Sequence, residues 1–170
     1  MHSLAILAKQ AVETYIKGRK IISLSEDLPK EFLERRSGTF VTIMKNDELR
    51  GCIGTYLATK QNIAEEVIHN AITAATEDYR FGPILEEELP YLSYTVYILN
   101  EPELINDISE LNPKKFGIIV KAGNKTGLLL PDLEGVDTIS QQISIAYRKA
   151  GINPKQEKTA VYKFTVEKYR

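Results

Sequence analysis

With 170 residues, 43% hydrophobic and 26% charged, the chain has the composition of a soluble globular protein, long enough to bury about two-thirds of its unfolded surface in one domain. A net charge of −1 supplies no sequence-wide basic field for nucleic acid or an anionic membrane, and a single cysteine excludes an internal disulfide and a zinc site built on cysteines. No apolar run approaches the roughly 20 residues that span a bilayer, and Met1-His2-Ser3-Leu4 opens an amphipathic pattern without a secretory layout, so a cytoplasmic location is expected.

Leu4, Leu7, Ala8, Ala11, Val12, Tyr15 and Ile16 recur at helical spacing and predict a helix over 3–17, ended by Gly18. A short helix is possible around Glu31–Arg36, where Arg35-Arg36 reads as a solvated turn. Two strands, 38–44 and 48–56, follow, joined at Lys45-Asn46-Asp47 as a hairpin. A second helix over 61–76 carries Ile63, Ala64, Val67, Ile68, Ala71, Ala74 and Ala75 on its apolar face. Leu92–Leu99 alternates as a strand. Strands over 116–121 and 126–130 flank the turn signal Gly123-Asn124, and 138–150 reads as a helix with Asp137 as cap and Gly151 as stop. Residues 160–169 alternate as a last strand. Paired strands with helices between the pairs predict α+β architecture with a mainly antiparallel sheet.

The lone cysteine lies in Leu49-Arg50-Gly51-Cys52-Ile53-Gly54, on the second strand. Period-two geometry puts Arg50 and Cys52 on one face and Gly51 and Ile53 on the other. A cation beside a thiol favours the thiolate, the nucleophilic form, and a guanidinium also binds carboxylate or phosphate bidentately. The flanking glycines Gly51 and Gly54 allow a ligand or another backbone to come close. The alternative is a small hydrophobe on a half-buried strand. The N-terminus of the following helix falls near the end of this strand, where its partial positive charge favours an anion. His2, in a terminus expected to fray, and His69, on the side of a helix, are not obvious base partners for Cys52. Beyond the second helix, Thr76-Glu77-Asp78-Tyr79-Arg80-Phe81-Gly82-Pro83 is either a fixed turn or a polar Asp78–Arg80 pair that orients a ligand or holds Arg50. The tract Glu86-Glu87-Glu88 reads as a solvated turn, with poor spacing for a metal. No phosphate-loop or dinucleotide fingerprint is present.

The hexapeptide resembles the signature of the AMMECR family. Phe40-Val41-Thr42-Ile43 before it, Asn70-Ala71, Ala74-Ala75, Asp78-Tyr79-Arg80-Phe81, Glu88-Leu89-Pro90, Gly117-Ile118-Ile119-Val120, Leu130-Pro131 and Lys149-Ala150-Gly151 fall in that family's order over essentially the whole chain. The chain departs from the family at Tyr79, where proline is common, at Phe116, where histidine often precedes the glycine, at Asp132, where glutamine is frequent, and at Tyr147, often a second cysteine. Mechanisms that need that histidine or second cysteine are closed to this chain, which leaves Arg50, Cys52, Asp78 and Arg80 as the shared candidates.

The resemblance implies a two-lobed α+β domain over 1–170, its larger lobe an antiparallel sheet flanked by helices and built from both chain ends, with the signature lining a cleft between the lobes. It implies Memo-like and radical S-adenosylmethionine proteins as partners and assigns neither substrate nor cofactor. Two functions stay open. One is an enzyme or enzyme component whose cleft binds a small polar or anionic ligand through Arg50 and the amides around Gly51 and Gly54, with Cys52 as nucleophile or redox thiol. The other is a noncatalytic module that binds a protein or peptide in the same cleft.

Overall fold

The computed structural model describes all of Met1–Arg170 and has the α+β architecture expected from the sequence. Its elements run α1 (Ser3–Gly18), α2 (Lys30–Glu34), β1 (Thr39–Lys45), β2 (Glu48–Thr55), α3 (Ile63–Thr76), a 3-10 turn (Glu86–Tyr91), β3 (Leu92–Leu99), β4 (Glu103–Leu104), β5 (Gly117–Ala122), β6 (Lys125–Leu129), α4 (Ile139–Ala150), β7 (Ala160–Phe164) and β8 (Val166–Tyr169). The chain divides into two compact units, one of Met1–Ile98 with Glu167–Arg170, the other of Leu99–Val166.

In the first unit the strands lie in the order β2-β1-β3-β8, with β1 antiparallel to both of its neighbours. Val41, Ile43, Tyr94, Val96 and Ile98 alternate onto one face and meet Leu4, Leu7, Ala8, Ala11 and Val12 of α1 and Val67, Ile68, Ala71, Ala74 and Ala75 of α3. The alanines of α3 let its backbone settle close to β1 and β2, and those of α1 let the two helices approach each other. Asn46 and Asp47 both have positive φ, 50° and 67°, the conformation a two-residue hairpin turn demands and one that Asn and Asp tolerate.

The second unit carries the order β4-β7-β5-β6. Ile118, Val120, Ala122 and Leu129 pack with Ala146 of α4 and with Leu111 and Ile152. Thr138, not Asp137, caps α4, since its side chain accepts from the Gln141 N–H while Gln141 bonds back. Gly151 ends that helix at φ 67° as expected.

Several expectations are corrected. Helix α1 is closed by Arg19 in the left-handed conformation, not by Gly18; the Arg19 guanidinium lies over the Tyr15 ring. The single strand expected over 160–169 is two strands in different sheets. The break falls at Thr165, whose carbonyl and hydroxyl accept from the backbone and side chain of Asn100. Arg35-Arg36 is a clamp rather than a solvated turn. Arg35 forks onto Glu167 of β8, and Arg36 donates to the Lys60 carbonyl. His2 does not fray. Its Nδ1 accepts the Leu4 N–H, its ring stacks on Tyr169, and its N–H donates to the Arg170 carbonyl. No helix is long and apolar enough to cross a membrane.

Candidate functional site

The signature occupies β2, an edge strand of the first unit's sheet. Pairing with β1 is regular from Thr39↔Thr55 to Ile43↔Gly51 and then shifts, so that Met44 faces Leu49 and Arg50 has no partner on β1. Arg50 is thus the extra residue of a bulge, a place where a strand bends and its regular alternation is interrupted.

The Arg50 guanidinium is committed to the loop after α3. Its Nε and Nη2 fork onto the two carboxylate oxygens of Glu88, each at 2.9 Å, while Nη1 and Nη2 donate to the carbonyls of Gly82 and Pro83 at 3.0 and 3.1 Å. Lys45 completes the cluster at 3.0 Å from Glu88, whose other oxygen accepts the Leu85 N–H. With its side chain 14% exposed and its donors committed to Glu88 and the two carbonyls, Arg50 staples the loop after α3 to β2. The tract expected as a solvated turn thus contains the buried anchor of the signature arginine. No sequence spacing announces a partner 38 positions away.

Cys52 is held at three points. Its N–H donates to Asp78 Oδ2 at 2.9 Å, its carbonyl accepts from Arg80 Nη2 at 3.3 Å, and its Sγ lies 3.2 Å from the Thr42 hydroxyl on β1. Asp78 and Arg80 are paired as one of the two sequence readings expected, through Nε to Oδ1 at 2.9 Å and Nη2 to Oδ2 at 2.7 Å. The pair holds the Cys52 peptide, whereas Glu88 holds Arg50. It also closes the open edge of β2 at this residue, where unpaired backbone groups would otherwise invite another strand. Asp78 is 3% exposed and Arg80 44%, so the carboxylate is the fixed member and the guanidinium faces solvent. Hydrogen bonding to Asp78 raises the Arg80 pKa, and the charge of Cys52 adds to that rise. Arg80 is thus a cation within electrostatic reach of the thiol.

The glycines carry packing. A Cβ on Gly51 would overlap the Ala74 carbonyl oxygen of α3, and one on Gly54 would overlap the Phe40 ring and the Thr39 carbonyl. The close approach allowed at Gly51 is thus used by the protein's own helix. Replacing Gly51 by alanine is expected to cost about 2 kcal/mol, as overpacking against backbone does, read as a lower denaturant midpoint with an unchanged slope. An unshifted midpoint would contradict the close packing of α3 on β2.

A further residue, Glu66, is completely buried at the start of α3. It accepts from the hydroxyls of Thr55 and Thr59 and from the amides of Thr59 and Lys60, at 2.6–2.8 Å. Burial raises its pKa, but these four donors outweigh burial and the net shift is downward. Asn70 extends the network to Thr39 and Thr55. The anion expected near the N-terminus of this helix is the protein's own side chain, and it shapes the loop that leaves the signature strand. The sequence signal for it is a carboxylate interrupting the apolar stripe between Ala64 and Val67.

The acid response follows from the same pairs. The Arg80 guanidinium holds Asp78 down from 3.8 to about 2, and the Arg50 guanidinium holds Glu88 down from 4.5 to about 2. A depressed folded-state pKa stabilises fully above the unfolded value and loses that stabilisation as pH falls through the folded one. Stability is therefore expected to drop from near pH 4.5 to about 2, by on the order of 2 kcal/mol for each carboxylate. Asp78→Asn and Glu88→Gln should each flatten that limb in urea titrations across pH. A wild-type limb no steeper than that of either variant would contradict the pairing.

Comparison with known proteins agrees with the signature. The AMMECR1 family model matches residues 5–169. A Thermotoga maritima protein is 51% identical over 164 residues, covering 96% of this chain and 94% of its own length. A Clostridium acetobutylicum protein is 41% identical over 165 residues, 96% of this chain but 35% of its own length. The crystal structure of an uncharacterized Pyrococcus horikoshii protein superposes with a TM-score of 0.88 at 35% identity, covering 97% of this chain and 88% of that one.

Proposed function

The chain belongs to the AMMECR1 family, and from the geometry of its signature strand we propose that it is a thiol-dependent enzyme, or a component of one, acting on a small anionic ligand. The observation that carries this reading is the three-point hold on Cys52 by Asp78, Arg80 and Thr42. A thiol that serves only as a small hydrophobe needs no such positioning, whereas a nucleophile gains from a fixed approach direction.

In this scheme the half-exposed Arg80 receives the ligand's carboxylate or phosphate and favours the thiolate. The thiol proton leaves to solvent, and the Thr42 hydroxyl then donates to sulfur. Sulfur attacks an electrophilic carbon, forming an S–C bond while the leaving group departs with the electron pair of the broken bond. Asp78 fixes both the Cys52 amide and the guanidinium and touches neither reactant. Arg50 has no direct part in the chemistry; it holds the loop that carries this pair.

Thermal shift against a panel of small carboxylates and phosphate esters tests the reading, because a ligand that binds the native state raises its stability by mass action. A stabilising member is expected to lose its effect in Arg80→Gln, and electrophilic members should add covalently to wild type but not to Cys52→Ser, as read by intact mass. A stabilising ligand that binds Arg80→Gln and Cys52→Ser as well as wild type would overturn the assignment.

One observation favours a second reading, a noncatalytic module for a protein partner. Tyr79 is 94% exposed beside Arg80, and Phe81, over whose ring the Arg80 guanidinium lies, is also exposed, so two aromatic side chains stand open together at the surface. On that reading Cys52→Ser leaves partner binding intact and Tyr79→Ala removes it.

A further inference from the structure

We propose a second surface, on the hairpin tip and the 3-10 turn of the first unit, as the docking site for a basic, apolar segment of a partner protein. Two hollows share the wall formed by Lys45 and Asn46. One, of about 600 Å³, is edged by Leu85, Glu87, Glu88 and Tyr91. The other, of about 360 Å³, is edged by Glu48, Leu49 and Arg50. The apolar side chains around them stand open, with Leu49 41%, Leu85 56% and Tyr91 59% exposed. Clustered apolar exposure of this kind marks an interaction surface.

Charge decides what fits. Asp47, Glu48, Glu86 and Glu87 are all exposed, and none takes part in an ion pair. The two cations at the same surface, Lys45 and Arg50, are both turned onto Glu88. The surface therefore offers free carboxylates beside the open side chains of Leu49, Leu85 and Tyr91 and no free cation among the residues that line it, in a chain whose net charge is only −1. Its complement carries lysine or arginine next to leucine or phenylalanine. Tyr91 adds an aromatic face on which a partner's cation can rest. Hollows on both sides of one ridge suit a polypeptide segment, which brings apolar groups to each and charges to the rim. This surface does not depend on Cys52 and holds whether or not the thiol is reactive.

The probe is a short fluorescein-labelled peptide of leucine and lysine in amphipathic order, followed by anisotropy against the whole protein at low and at high salt. Binding to wild type is expected to weaken with salt, as screened charges require, and to fall by about tenfold or more in Glu86→Lys/Glu87→Lys. Leu85→Ser/Tyr91→Ser, with its carboxylates intact, is expected to weaken binding to a similar degree. Cys52→Ser and the charge reversal Glu101→Lys/Glu103→Lys in the second unit should leave it unchanged, and a leucine–glutamate peptide should not bind. Equal affinity of wild type and Glu86→Lys/Glu87→Lys would overturn the proposal. Complete displacement of the peptide by spermidine would overturn it in favour of a small-polyamine site. Self-association in sedimentation that Leu85→Ser/Tyr91→Ser abolishes would assign the surface to a second copy of the chain instead.

Discussion

Replacing Arg50 by alanine is expected to destabilise the protein by about 3 kcal/mol, because it leaves a buried carboxylate without its main partner. Glu88 is 10% exposed and would keep only Lys45 and the Leu85 amide. The carbonyls of Gly82 and Pro83 would lose their donors as well. Glu88→Ala is expected to cost a similar amount, since it strands a guanidinium with its side chain 14% exposed. The double variant should cost well under the sum of the two, with a coupling energy of roughly 1.5 kcal/mol or more. Arg50→Lys should recover little, because an ammonium cannot reproduce the planar fork that reaches a carboxylate and two carbonyls together. Urea unfolding of the four proteins measures this directly. Additive single effects would show that the two side chains do not act as a pair. The same result bears on function, because any loss of ligand binding in Arg50→Ala would then reflect a loosened loop rather than a missing ligand contact.

Glu66→Ala is expected to cost about 3–4 kcal/mol, the loss of a charged acceptor from four hydrogen bonds in a buried position. The donors left behind belong to Thr55, Thr59 and Lys60, so the damage should centre on the segment between β2 and α3. Hydrogen exchange of the Thr59 and Lys60 amides is the measurement. Faster exchange at those two positions, with the β5 amides of Ile118 and Val120 unchanged at a pH where the variant stays folded, is the expected pattern. Uniform acceleration across both units would mean that Glu66 acts on global stability alone and does not shape the loop. Glu66→Gln should fall between wild type and alanine, as it retains one acceptor oxygen but loses the charge.

Much of the first unit was legible because its signals are local. Leu92–Leu99 alternates without interruption and is strand β3 over those residues. Asn46-Asp47 is turn chemistry between two β-branched and apolar runs, and both residues adopt positive φ. The apolar stripe from Ile63 to Ala75 turns inward against the sheet. The hexapeptide and its ordered neighbours pointed to the family that the comparisons show. What escaped is tertiary. The bulge that leaves Arg50 unpaired depends on a register set by the whole β1–β2 ladder, which alternation along β2 alone does not show. Glu88 lies within three consecutive glutamates whose composition reads as solvent-facing, and only folding of the loop selects one of them for burial. The break at Thr165 comes from Asn100, far away in sequence, while the residues on either side alternate as if continuous. Asp78 and Arg80 were legible as a pair because they are two positions apart; that they hold the Cys52 peptide was not.

On the function proposed above, the signature strand presents Cys52 as a positioned thiol whose cation is Arg80. The rate of iodoacetamide alkylation of the native protein, followed between about pH 6 and 9, tests it most directly, since the thiolate is the reacting species. Wild type is expected to react faster than free cysteine at the acid end of that range. Arg80→Gln should shift the profile to higher pH, and Arg50→Lys, measured while folded, should leave it in place. Alkylation no faster than free cysteine at every pH, or a profile that moves with Arg50 and not with Arg80, would contradict the account.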